Sequence, residues 1–380
     1  MDRDREIPRR LGRRPVLDGL RGIAILLVVL SHTGLLPNGY IGVDLFFALS
    51  GFLITSLLLE ECERQGRISL RRFYARRARR LLPALGLLLV LALIVNLACY
   101  RLTGWPFMVK AASTTLFVNN WLAATGHARD LGSLSPTWSL AQEEQFYAVW
   151  PLALLLLLRA QVRPPVIAAL LLASAAALIS LAPTGTPHGY AIYYSPAARA
   201  AEPLLGCLTA VIWRHRLMPA LGNPRWPRRV RAALAIGGHW RSVVLAAATG
   251  LFVFLLRYHG LPVAQVYLGA CLLGVVLIPS LLESPVSLVT RVIGSAPLRF
   301  LGRISYALYL VHLLVRNVVY HYLPGGSPYL NALLTITVSV GLATASWELV
   351  ESRVLGRGRA AVNRPGKVRS SRAQLMPART

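Results

Sequence analysis

Three ionisable side chains, Asp18, Arg21 and His32, interrupt an otherwise apolar stretch, PVLDGLRGIAILLVVLSHTGLL (15–36). Ionisable groups at membrane depth are costly, so each needs a partner, a water-filled cavity or a task. Arg21 and His32 lie eleven residues apart. On a helix that is within about 20° of a whole number of turns and about 16 Å along the axis, so both point the same way. Asp18, three residues before Arg21, shares that side. Further along the chain the same kinds of group recur: Asp44 early in a second apolar run, Glu143 and Glu144 in TWSLAQEEQFYAVWP, and Arg199 with Glu202 in ARAAEPLLGCLTA. A carboxylate beside an imidazole orients it and raises its basicity, the usual arrangement of a general base. The expectation is therefore that Asp44 or Glu143 orients His32 as a base.

Each of these residues also has a plainer reading. His32 is also explained as a structural histidine bonded to a nearby carbonyl, and Asp18–Arg21 as a pair that neutralises itself at an interface. One of Glu143 and Glu144 is expected in an acidic rim. The run RRFYARRARR (71–80), with Arg77 and Arg80, suits an anchor for anionic lipid headgroups. Tyr306, Tyr309 and His312 suit bundle packing with satisfied polar ends.

The elements that must carry these groups follow from hydropathy. The chain has 380 residues, 55% of them hydrophobic, with mean hydropathy +0.53 and net charge +26. Nucleic-acid binding is the first thought for so basic a chain, but the arginines lie between apolar runs, which is the membrane pattern. Cys62, Cys99, Cys207 and Cys271 form no close-spaced pair, so neither a zinc site nor a disulfide framework is expected. The first apolar run is too long and too charged for a signal peptide. Apolar runs at 16–36, 40–59, 81–100, 137–158, 164–182, 196–213, 242–257, 262–282, 301–321 and 328–350 predict an all-α polytopic membrane protein of about ten spans. The segment 109–124 reads as interfacial or re-entrant, and 60–80 as a basic amphipathic segment. Residues 1–14 and 351–380 read as basic cytoplasmic termini, the latter disordered, flanking a membrane domain at 15–350. With the N-terminus inside and spans alternating, 34 of the 41 Lys and Arg fall inside and 4 outside, as the positive-inside rule requires. Asp18 and Arg21 then sit near the cytoplasmic face. His32, Asp44 and Glu143 come near the outer one if the first, second, fourth, sixth and ninth spans pack together. No internal repeat is evident.

Six stretches carry a resemblance. LDGLRGIAILLVVLSH (17–32), GYIGVDLFFALSGFLI (39–54), RRFYARRARRLLPA (71–84), TWSLAQEEQFYAVWP (137–151), ARAAEPLLGCLTA (198–210) and FLGRISYALYLVHLLV (300–315) resemble, in order, the acyltransferase type 3 family of integral membrane acyltransferases. The family's Arg-x10-His pattern falls on Arg21 and His32, its Arg-x-x-Arg on Arg77 and Arg80, and its glutamate before Gln-Phe-Tyr on Glu143. Pro136 departs from the histidine many relatives have before Thr-Trp-Ser. The hydrolase-like domain fused in many members is not matched here, so a stand-alone transferase module is expected.

The resemblance implies transfer of an acyl group, in the first place acetyl, from acyl-CoA to a hydroxyl of a sugar, cell-surface glycan or glycosylated product at a bacterial plasma membrane. His32 would be the base, with Asp44 and Glu143 beside it. Asp18, Arg21, Arg77 and Arg80 would hold the donor, whose phosphates suit arginine forks. Trp138, Tyr147, Arg199, Tyr309 and His312 would be acceptor-side or structural. Acyl-CoA is a co-substrate, and no resident cofactor or metal is expected. The partners are the donor, a carbohydrate acceptor and membrane lipid, with no nucleic acid. A proton-coupled transporter relaying through His32, Asp44 and Glu143 is the rival; it predicts paired broken helices from an inverted repeat. A lipid-binding scaffold is a third reading.

Overall fold

The computed structural model describes residues 10–12, 14–100, 105–128, 130–181, 193–215, 217, 248, 250, 274–283 and 287–354. Most of the expected spans at 242–257 and 262–282, most of the stretch 214–241 before them, nearly all of the 1–14 segment and the tail beyond 354 lie outside them. Every element among the described residues is helical, as expected. The helices are α1 (Pro15–His32), α2 (Ile41–Gln65), α3 (Leu70–Val95), α4 (Trp105–Thr115), α5 (Asn119–Leu122), α6 (Thr137–Arg159), α7 (Pro164–Ser180) and α8 (Pro196–His215). They continue with α9 (Gly274–Glu283), α10 (Leu288–Ile293), α11 (Ala296–Tyr322) and α12 (Pro328–Ser346).

Among the described residues, five helical stretches are long and apolar enough to cross a membrane: Pro15–His32, Ile41–Gln65, Leu70–Cys99, Ala296–Tyr322 and Pro328–Val354. The start of α1 and the end of α2 are called basal below, and the His32 end apical. The segment expected to be re-entrant consists of α4 and α5, eleven and four residues long. They are parted at Phe117, whose φ is 55°, and at about 1.5 Å per residue neither is long enough to span.

The expected division of the chain at 60–80, a basic amphipathic segment between two apolar runs, is corrected. Its first part continues α2, which ends at Gly66 in the left-handed conformation, a common helix stop. Its second part is the opening of α3: the Ser69 hydroxyl accepts from the Arg72 amide, and the helix runs on through Pro83. No break separates the arginines from the apolar run, so Arg77 and Arg80 are carried up into the bundle.

Two close helix pairs set the frame. Helices α1 and α11 run parallel, both basal to apical. A Cβ on Gly302 would fall 1.7 Å from the Asp18 carbonyl oxygen, and one on Gly22 would fall 2.0 Å from that of Leu298. Only glycine lets the two backbones approach this far. Helices α2 and α8 are joined in the same way, Gly51 against Pro203 and Gly206 against Ala48. Antiparallel to α3, α6 closes the bundle: the Tyr74 hydroxyl donates to the Ala148 carbonyl, and Tyr306 of α11 donates to that of Leu81.

Candidate active site

The polar groups named from the sequence form three clusters at different depths. The basal cluster is a cleft of about 710 Å³ whose walls include Arg21, Arg72, Arg76, Arg77, Arg79 and Arg80, with Glu61 at its rim. Six guanidinium groups line it, a chemistry that suits a polyanion, and Arg76 among them is paired with Glu61 at 3.3 Å. Arg21 donates to Ser305 Oγ at 3.1 Å. Arg77 donates to Glu144 at 2.7 Å and lies 3.5 Å from the Tyr147 ring centroid. Asp18, expected among the donor-binding groups, is exposed and lies outside the walls of this cleft. It stands in the first turn of α1.

Above the cleft lies a small pocket of about 70 Å³, sharing Arg21, Ser50, Leu53, Arg77, Arg80 and Tyr147 with it. Its remaining polar lining is Glu143, Ser139, Ser305, Tyr306 and Tyr309. Glu143 accepts from Ser50 Oγ at 2.7 Å. The two adjacent glutamates are therefore divided: Glu143 faces the pocket, while Glu144 neutralises Arg77. Neither forms an outer acidic rim. Tyr309 closes the apical end, its hydroxyl 2.6 Å from Ser139 Oγ and donating to the Pro136 carbonyl at 3.1 Å. Beyond it, His32 and His312 meet, His312 Nε2 at 3.3 Å from His32 Nδ1, with the Tyr309 and His312 ring centroids 5.6 Å apart. His32 Nδ1 also lies 2.9 Å from the Val28 carbonyl oxygen, the bond its plainer reading anticipated. Arg21 and His32 both face α11, so the shared helix face read from their spacing is present.

The third cluster is sealed. Asp44 and Glu202 both bind Arg199 Nη1, the latter at 2.6 Å, and all three side chains are buried. Arg199 Nε donates to the Tyr193 carbonyl at 2.7 Å, and its guanidinium lies over the Trp138 and Tyr193 rings. This corrects the pairing expected for His32. Asp44 belongs to Arg199 and Glu143 to Ser50, while the ring nearest His32 is His312. A buried carboxylate is held by a cation more strongly than by a neutral ring, and α8 delivers that cation to Asp44.

The role of His312 as neighbour to His32 was missed, although a signal exists. His32 stands ten residues after Gly22, and His312 ten after Gly302. In parallel helices that touch at the glycines, equal offsets bring the two rings back to one level about 15 Å higher. The serines at 50, 139 and 305 carried no such signal. Among the described residues no group of three His, Cys, Asp or Glu forms a metal site.

Comparison with known proteins matches residues 14–348 to the acyltransferase domain family. The chain is 31% identical over 363 residues to the peptidoglycan O-acetyltransferase OatA of Listeria monocytogenes, covering 90% of this chain and 56% of that protein. It is 30% identical over 365 residues to the O-acetyltransferase OatA of Staphylococcus aureus, covering 90% and 57%. The chain thus spans just over half the length of these relatives. No solved structure matches it.

Proposed function

From the premise that the chain belongs to the acyltransferase domain family, we propose that it transfers an acetyl group from acetyl-CoA to a hydroxyl of a cell-wall glycan, at the bacterial plasma membrane. The acceptor class is taken from the relatives, whose names make them O-acetyltransferases and in one case peptidoglycan O-acetyltransferase. The observation that carries the reading is the basic cleft that narrows through Ser50 and Tyr147 into the small pocket ending at Tyr309, directly below the histidine pair.

The basal end is cytoplasmic in this reading, as are both termini, with about ten spans between them. The arginines of the cleft, Arg80 and Arg21 foremost, bind the phosphates of CoA. The roughly 16 Å from Arg21 to His32 is the reach of an extended pantetheine arm, so the thioester comes to rest by Ser139 and Tyr309. His32 Nε2 takes the proton of the acceptor hydroxyl as its oxygen attacks the thioester carbonyl. Collapse of the tetrahedral adduct breaks the carbon–sulfur bond, and the CoA thiolate leaves with the proton held by His32. Glu143 lines the approach beside the arm, while Asp44, Trp138 and Arg199 hold the apical wall.

The test uses the full chain in nanodiscs with radiolabelled acetyl-CoA and a muramyl glycan fragment. Release of CoA thiol that depends on the glycan, label appearing in the glycan, and a loss of about 10²–10⁴ in His32→Ala are expected. Label that stays in acetyl-CoA would refute the function; full turnover in a folded His32→Ala enzyme would remove His32 as the base.

A further inference from the structure

The proton positions of the histidine pair follow from its neighbours. His312 Nδ1 lies 2.7 Å from the Tyr309 carbonyl oxygen. A carbonyl only accepts, so this nitrogen carries the proton, and in a neutral imidazole the other, Nε2, is then an acceptor. His312 is 1% exposed, and a charge buried there without a counter-charge would be costly, so the ring is neutral. Its Nε2 lone pair points at His32 Nδ1, 3.3 Å away, which also lies 2.9 Å from the Val28 carbonyl. Both neighbours of His32 Nδ1 are acceptors, so Nδ1 bears the hydrogen and shares it between them. The ring centroids are 4.9 Å apart with the planes at 59°, a tilted approach rather than a stack, which leaves room for a hydrogen bond. His32 Nε2 is left as the lone-pair nitrogen.

We propose that His312 is the positioning residue of His32: its Nε2 holds the His32 proton on Nδ1, keeps Nε2 open as the base, and steadies the imidazolium when Nε2 takes a proton. This rests on His32 being the base in the proposed transfer. The balance of the step is unchanged: one proton moves from the acceptor hydroxyl to His32 Nε2 and then to the departing thiolate, while His312 gains a stronger, charge-assisted bond and no proton of its own.

Two measurements test it, the first independently of the function. Solid-state nitrogen spectra of the histidine-labelled full chain in bilayers, assigned with His32→Ala and His312→Gln, should show both rings as Nδ1–H tautomers. An Nε2–H signal for His32 overturns the inference, whether or not acetyl-CoA is the donor. In the nanodisc assay with acetyl-CoA and the glycan fragment, His312→Phe keeps the ring volume and removes the acceptor. Its kcat should fall about ten- to a hundredfold, the worth of a charge-assisted bond, with KM for acetyl-CoA unchanged. His312→Gln, whose side-chain oxygen reaches the place of Nε2, should recover most of the rate, and the shorter His312→Asn should not. Equal kcat in the Phe and Gln variants would overturn it.

Discussion

Replacing Arg77 by alanine distinguishes a structural arginine from a ligand-binding one. Its guanidinium donates to Glu144 at 2.7 Å, with the two side chains 17% and 14% exposed. It also lies 3.5 Å from the Tyr147 ring, and Nε is buried with no hydrogen-bond partner. Breaking one half of a buried pair costs about 3–5 kcal/mol, because the other charge is left uncompensated. The residual exposure brings this to the lower end, and losing the cation–π contact adds about 1 kcal/mol. Arg77→Ala should therefore destabilise the protein by about 3–4 kcal/mol, and Arg77→Ala with Glu144→Gln should recover most of the charge part. Arg80 lines both cavities and has no carboxylate within ion-pairing distance among the described residues. Arg80→Ala should leave stability unchanged and weaken CoA binding by about 1.5–3 kcal/mol. Unfolding followed by tryptophan fluorescence in detergent, alongside calorimetric titration of CoA, separates the two. Wild-type stability in Arg77→Ala, with a loss of CoA affinity equal to that in Arg80→Ala, would show that the Glu144 pair holds nothing together.

Three further outcomes follow from the same geometry. In the sealed cluster, Arg199→Leu strands two buried carboxylates whereas Asp44→Asn leaves one guanidinium with one carboxylate, so the first should cost about 3–5 kcal/mol and the second clearly less; equal unfolding midpoints would contradict it. Gly302→Val places side-chain carbons on the Asp18 carbonyl, 1.7 Å from where its Cβ must sit. It should yield little monodisperse protein on size-exclusion chromatography, while Gly325→Val, with open space around it, should behave as wild type. Single cysteines at Gly66 and Leu35 in a cysteine-free background should label from opposite faces of intact cells, Gly66 from the cytoplasm; the same face for both would undo the topology.

How far the chain could be read from sequence differs from helix to helix. Hydrophobic runs located α1, α2, α11 and α12, which are long and apolar enough to cross a membrane, and also α6, α7 and α8, because a helix packed within such a bundle is apolar over most of its length. Helix α3 was divided in two at Leu81, since composition changes there while the backbone does not. The common face of Arg21 and His32 came from the 3.6-residue repeat alone, and both side chains do meet α11. Which group stands beside His32 was not legible in the same way. Asp44 and Glu143 had suitable chemistry and a plausible depth, but depth along one helix says nothing of which neighbour fills the space across from it. That depends on how close two backbones come, and here glycines at 22 and 302 bring α11 against α1 while glycines at 51 and 206 bring α8 against α2. The first contact gives His32 a histidine, and the second gives Asp44 an arginine. Periodicity within a helix is a local property and is written in the sequence. Pairing between helices is settled only when the whole bundle packs, because each buried charge must find its compensation among all the helices at once.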